Sequence, residues 1–252
     1  MSEPIITIKN LAKIYPKKEG QRRVEVFHDI NLTVHKGEFL VLLGPSGCGK
    51  STLLRILAGL DERTHGEILY GKDFDFKKIS FVFQNFGILP WLTVFQNVEL
   101  NLIGHGVPAH ERTKTVDAML HKLGLFAFRD NRPHDLSGGM RQRVGLARAF
   151  VTRPEVIFLD EPFSELDFFT AENLRNTLLD LWKETGSTVV MVSHYIDEAV
   201  HLADRIEVFS DRPSKIIASI KDELPRPRDY RSTPFFAKVD EVLGHFQKSN
   251  NI

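Results

Sequence analysis

Residues 44–52 read GPSGCGKST, and the fold is decided there. The string fills the pattern G-x-x-x-x-G-K-[ST], whose glycines let backbone N–H groups converge on a phosphate. Its context agrees: the apolar run FLVLL at 39–43 precedes it as a strand, and LLRIL at 53–57 follows it as a helix. The N-terminus of that helix adds its positive dipole end to the cradle. Gly44, Pro45, Ser46, Gly47, Cys48 and Gly49 are expected to surround the phosphates, with Thr52 closing the motif. Lys50 is expected to reach the outer phosphates, and the Ser51 hydroxyl to ligate magnesium. A chance match in a glycine-bearing loop is the alternative, and the flanking elements argue against it. Alone, the loop implies nucleotide binding and not which kind.

Downstream, VIFLDEP at 156–162 is an apolar strand ending in two acids, as in a buried central strand whose carboxyl end opens on a ligand crevice. Successive strand side chains alternate faces, so Asp160 is expected to hold magnesium while Glu161 faces the attacking water. Solvated acids capping a strand end are the competing reading. Between the two motifs, LSGGMRQR at 136–143 puts a good N-cap, Ser137, before Gly138 and Gly139, which allow close backbone approach of an anion to a helix N-terminus. A capped helix with a basic face of Arg141, Arg143 and Arg148 is the plainer alternative.

With these three strings in this order, residues 5–220 resemble the ATP-binding cassette (ABC) family. The resemblance implies a nucleotide-sandwich homodimer in which Ser137, Gly138 and Gly139 face the terminal phosphate of ATP held by the partner subunit. It implies that Tyr15 stacks on adenine, although a tyrosine in a strand is also an ordinary core residue. Gln84 is implied to touch the metal or the water and to relay the nucleotide state to a membrane partner. Asp167, in SELD, is implied at the dimer contact, and His194, in VSHY, at the terminal phosphate. The implied catalytic set is Glu161, His194, Gln84 and Lys50. The implied metal ligands are Ser51, Gln84 and Asp160, and the cofactors are ATP and Mg2+. Three features depart from the family pattern: Glu165, Tyr195 and the pair Phe168-Phe169.

The expected fold is α/β: a P-loop NTPase core with a mostly parallel sheet, an N-terminal antiparallel β subdomain and an inserted helical subdomain. Strands are expected at 5–9, 24–27, 32–34, 39–43, 67–70, 80–83, 156–159, 188–192 and 206–209, and helices at 140–150, 171–183 and 198–203. The insert, at 88–150, carries a capping box at Thr93 and Gln96 and a second helix framed by Pro108 and Gly124. The charged stretch 17–23 reads as a solvated hairpin loop. One cassette domain, 1–222, is followed by a tail, 223–252. Pro225, Pro227 and Pro234 interrupt that tail before a helix with Phe235, Val239, Val242 and Phe246 at helical spacing.

Lys+Arg and Asp+Glu both number 33, so no basic excess points to nucleic acid. The single cysteine and the absence of a signal-like N-terminus suit a reducing cytoplasm. Cys48 reads two ways: as a thiol whose surroundings favour the thiolate, or as a small residue packed into a tight loop. The apolar runs fall well short of the ~20 residues that span a bilayer, so integral permease subunits must supply any pore. The runs LPWLTVFQNV at 89–98, MRQR, EAVHLADRIEVFS at 198–210 and LPRPRD at 224–229 resemble importers of nitrate, sulfonates, taurine and similar small anions. That resemblance implies a periplasmic or extracellular solute-binding protein in the same system and a place on the cytoplasmic face of the membrane. The alternative is a non-transport cassette ATPase acting on a macromolecular complex. Such a chain would need coiled-coil inserts, tandem cassettes or a basic face.

Overall fold

The computed structural model describes residues 3–16, 23–164 and 166–249. Glu165 and all but Arg23 of the expected hairpin loop lie outside the described residues. The chain divides into two compact units, Met1–Phe74 with Thr188–Ile252, and Asp75–Ser187.

The first unit opens with β1 (Pro4–Tyr15), β2 (Val24–His35), β3 (Phe39–Leu43), α1 (Lys50–Leu57) and β4 (His65–Tyr70). A separate antiparallel sheet has the order β2-β1-β4. The sequence pattern suggests two short strands around HDIN, yet β2 runs unbroken, with Asp29 at φ 55°. Pairing with β1 from Tyr15↔Val24 to Pro4↔His35 supplies the ladder that local propensity does not.

The second unit holds β5 (Ile79–Val82), α2 (Val94–Gly104), α3 (Ala109–Lys122), α4 (Gly138–Phe150), β6 (Val156–Asp160) and α5 (Phe168–Thr185). The capping box forms as expected: Thr93 Oγ1 accepts from Gln96 N–H at 3.2 Å, and Gln96 Oε1 accepts from Thr93 N–H at 2.9 Å. Asn97 is fully buried and holds the turn before α2, accepting from Leu89 N–H and donating to the carbonyls of Leu89, Leu92 and Thr93. Gly124 takes φ 68° just past the end of α3, the left-handed position that ends a helix.

The chain returns to the first unit with β7 (Thr188–Ser193), α6 (Ile196–Leu202), β8 (Arg205–Phe209), β9 (Ile216–Lys221) and α7 (Thr233–Ser249). β3 lies between β7 and β8, parallel to both, and is buried at every residue. β9, outside the strands expected from sequence, pairs antiparallel with β8. On α7, Phe235 and Val242 are buried and Val239 and Phe246 half-buried, the amphipathic spacing read from the sequence. Among the described residues, no helix is long and apolar enough to cross a membrane.

Candidate functional site

In the first unit the register places Leu43 of β3 opposite Ser193 of β7. Gly44 and His194 therefore leave adjoining carboxyl ends of parallel strands, where open α/β sheets hold their ligands. The loop between β3 and α1 is shaped by its glycines. A Cβ on Gly49 would stand 2.4 Å from Val26 Cγ1, and its φ is 114°, so no other residue fits. Gly47, at φ 79°, has nothing within 4 Å of where its Cβ would be, so the loop's outer face is open. Pro45 is half-buried and Ser46 exposed.

Lys50 is 3% exposed, and its Nζ donates to Gly44 O at 2.7 Å and Pro45 O at 2.8 Å, with Cys48 Sγ at 3.7 Å. Among the described residues no carboxylate is hydrogen-bonded to this buried ammonium, whose two short bonds go to carbonyl oxygens, and a polyphosphate seated on the loop would complete it. Ser51 and Thr52 are half-buried on the first turn of α1. Cys48 is buried, which favours the packed reading of that thiol. Arg212, which no motif marks in the sequence, donates from its guanidinium to the Gly47 carbonyl. Tyr15 is no core residue. It is 42% exposed, its hydroxyl donates to Asp61 Oδ2 at 3.1 Å, and Lys13 Nζ stands 4.7 Å from its ring centre. His194 is half-buried, with its ring 4.0 Å from the exposed Tyr195 ring.

In the second unit β5 and β6 are parallel, with Val82 opposite Leu159. Gln84 thus follows one strand end, while Asp160 and Glu161 stand at the other. Strand alternation does not separate the two carboxylates as expected from sequence. β6 ends at the buried Asp160, and Glu161 takes φ 48°, a left-handed turn directly before Pro162. A non-glycine residue there stores about 1–3 kcal/mol, and such positions cluster at functional sites. Ser164 closes the turn, its Oγ donating to the Glu161 carbonyl at 3.1 Å and accepting from Gln84 Nε2 at 3.1 Å. The segment after Gln84 is clamped onto α4, where Arg148 donates to the carbonyls of Phe86 and Gly87 at 2.5 and 2.9 Å. Burial holds the Arg148 guanidinium below its usual value. Any Cβ on Gly145 would fall 2.3 Å from Phe86.

Ser137 caps α4, its Oγ accepting from Met140 N–H at 3.3 Å, and Asp167 caps α5, accepting from Thr170 N–H at 3.1 Å. Hydrogen bonding to Thr170 keeps the Asp167 carboxyl below its ordinary value. Ser137, Gly138, Gly139, Asp167 and Thr170 line one cavity of about 470 Å³. Phe168 and Phe169 are exposed beside it. Among the described residues, no group of three or more His, Cys, Asp or Glu side chains could hold a metal alone. The expected donors, one hydroxyl, one amide and one carboxylate, suit a hard cation that shares its shell with phosphate oxygens.

Comparison with known proteins identifies the family. The family described as ABC transporter matches residues 27–164. The chain is 42% identical over 233 residues to the aliphatic sulfonates import ATP-binding protein of Bacillus licheniformis, covering 91% of this chain and 90% of that protein. It is 42% identical over 231 residues to the nitrate import ATP-binding protein of Synechocystis, covering 89% of this chain and 34% of that longer protein. A dimeric ATP-binding cassette solved in a post-hydrolysis state with ADP and Pi superposes with TM-score 0.74 at 35% identity, covering 88% of this chain and 100% of that one. By the matched residues 27–164 and by the likeness to the sulfonate protein along 91% of this chain and 90% of that one, the chain belongs to the ABC transporter family and is an ATPase of that family.

Proposed function

We propose that this chain is the ATP-hydrolysing subunit of an importer for a small anion: nitrate, a sulfonate, taurine or a similar solute. It works as a homodimer on the cytoplasmic face of the membrane, with separate permease subunits and an extracytoplasmic solute-binding protein. The observation that carries this reading is the likeness, along 91% of the chain, to the ATP-binding subunit of a sulfonate importer. The loop 44–52, with Lys50, Arg212 and the α1 N-terminus, holds the phosphates. Ser51, Gln84 and Asp160 are the protein ligands for magnesium, which when bound offsets charge on the phosphate oxygens. Glu161 takes the proton of the attacking water, and His194 orients the terminal phosphate. Tyr15 stacks on the base. Ser137, Gly138, Gly139 and Asp167 serve the nucleotide bound by the other copy.

Two measurements test this. In solution, specific ATPase activity rises with protein concentration through the dimerisation midpoint, and Ser137→Arg loses turnover while keeping its nucleotide affinity. Specific activity that stays constant well below that midpoint would overturn the sandwich.

The membrane partner is assigned to the insert and to the cavity of about 470 Å³ that its residues Ile88, Pro90 and Arg141 line together with Gln84 and Phe86. Trp91 is 66% exposed, so Trp91→Ala changes stability by no more than about 0.5 kcal/mol. Its expected effect is on coupling: in the reconstituted transporter, uptake per ATP falls while the circular dichroism and nucleotide affinity are unchanged. Full coupling in that variant would remove the insert from the docking surface.

A further inference from the structure

Ser164 stands 80 residues from Gln84 in sequence, yet its hydroxyl is spent on two contacts. It accepts from the Gln84 side-chain amide at 3.1 Å and donates to the main-chain carbonyl of Glu161 at 3.1 Å. The Ser164 N–H also points to that carbonyl, at 3.4 Å. A serine hydroxyl has one proton to give, and here it is given to the residue whose backbone is strained at φ 48°. Gln84 is exposed and belongs to the wall of the cavity that also includes Phe86, Ile88 and Arg141, so an occupant of that cavity can move it. Polarisation along a hydrogen-bonded chain makes each bond depend on the next. Withdrawing the amide therefore weakens the hydroxyl's hold on the Glu161 carbonyl and frees a turn that is under strain.

We infer that Ser164 is a positioning residue that ties the placement of Glu161 to the position of Gln84, so that whatever displaces Gln84 retunes hydrolysis through the Glu161 backbone. The inference rests on the assignment of Glu161 and Gln84 made above.

The test is a double-mutant cycle on the full-length subunit, with steady-state ATPase as the readout. Ser164→Ala lowers kcat about tenfold with KM for ATP unchanged, the pattern of an interaction felt only in the chemical step. Ser164→Thr, which keeps the hydroxyl, restores most of that loss. Gln84→Ala costs several-fold less in the Ser164→Ala background than in the parent: the loss of its contact to the metal is common to both arms and cancels, and the difference is the bridge. Losses that multiply in the double variant, or a Ser164→Ala enzyme with unchanged kcat, overturn the bridge. Ser164→Gly repeats the measurement should Ala disturb the turn, with thermal melting as the check on folding. Glu161→Gln run in parallel separates the two levels. Near-normal hydrolysis there defeats the catalytic assignment itself, whereas abolished hydrolysis with a multiplicative cycle defeats only Ser164.

Discussion

Replacing Glu161 with Gln lowers ATP turnover at least about a hundredfold, the scale of a lost general base, while ATP binding persists and a nucleotide-bound dimer accumulates. The expectation follows from where the residue stands. Asp160 is the buried last residue of β6, and Glu161 follows it into a left-handed turn whose carbonyl is held by Ser164. The amide of Gln has almost the same shape, so the turn and its hydrogen bonds survive. What is lost is the ability to take a proton. Equilibrium nucleotide binding, single-turnover hydrolysis and size-exclusion chromatography with ATP report the three outcomes. Hydrolysis within a few-fold of the parent would remove Glu161 from the role of base.

A second large effect lies far from the nucleotide. Arg228→Met is expected to cost about 3–5 kcal/mol of folding stability, the range for breaking a buried charge pair from one side. Arg228 is 6% exposed. It donates to the carbonyls of Val200 at 2.6 Å and Ala203 at 2.7 Å, and to those of Leu224 and Asp222 at 3.1 and 3.3 Å. Its Nη1 stands 3.2 Å from Asp222 Oδ2, which makes no hydrogen bond among the described residues, and the two side chains are 1% and 0% exposed. In this way the proline-broken segment is pinned beneath α6.

Burial pushes the Asp222 carboxyl above its usual value, opposed by the Leu224 N–H and by Arg228. Removing the guanidinium raises it further. A group whose folded value is raised contributes stability at low pH and loses it as pH climbs through that value. The deficit of Arg228→Met is therefore smaller in acid than at neutral pH, and Asp222→Asn in the same background recovers part of it. Urea unfolding at two pH values measures both. A loss below 1 kcal/mol at neutral pH would mean that the pair is solvated.

Much of the fold was legible because its signals are local. The runs FLVLL and VIFLD are apolar throughout, and only a strand covered on both faces has that composition; both are buried at every residue. Thr93 with Gln96 and Ser137 each carry the side-chain oxygen that a helix N-terminus needs, and both cap helices; that Asp167 caps a third emerges only in the structure. The glycines of residues 44–52 announce a backbone that other residues cannot adopt, and Gly49 at φ 114° is such a position.

What stayed hidden depends on partners distant in the chain. The polar residues HDIN suggested a break in β2, but a ladder with β1 carries the strand across them. β9 escaped notice because IIASIK is ambiguous until β8 offers an edge to pair with. No periodicity marks Ser164 as the neighbour of Gln84, Arg212 as the neighbour of Gly47, or Arg228 as the neighbour of Asp222. Alternation along a strand assigned opposite faces to Asp160 and Glu161, whereas the strand stops between them and a left-handed turn sets the second carboxylate.

By itself, then, the sequence determined the chemistry available and the elements that present it, since caps, glycine conformations and apolar periods act over a few residues. Tertiary structure alone decided which strand ends adjoin, which buried charges find partners and how Glu161 is held. Those are set by register and desolvation, and both depend on residues tens of positions away.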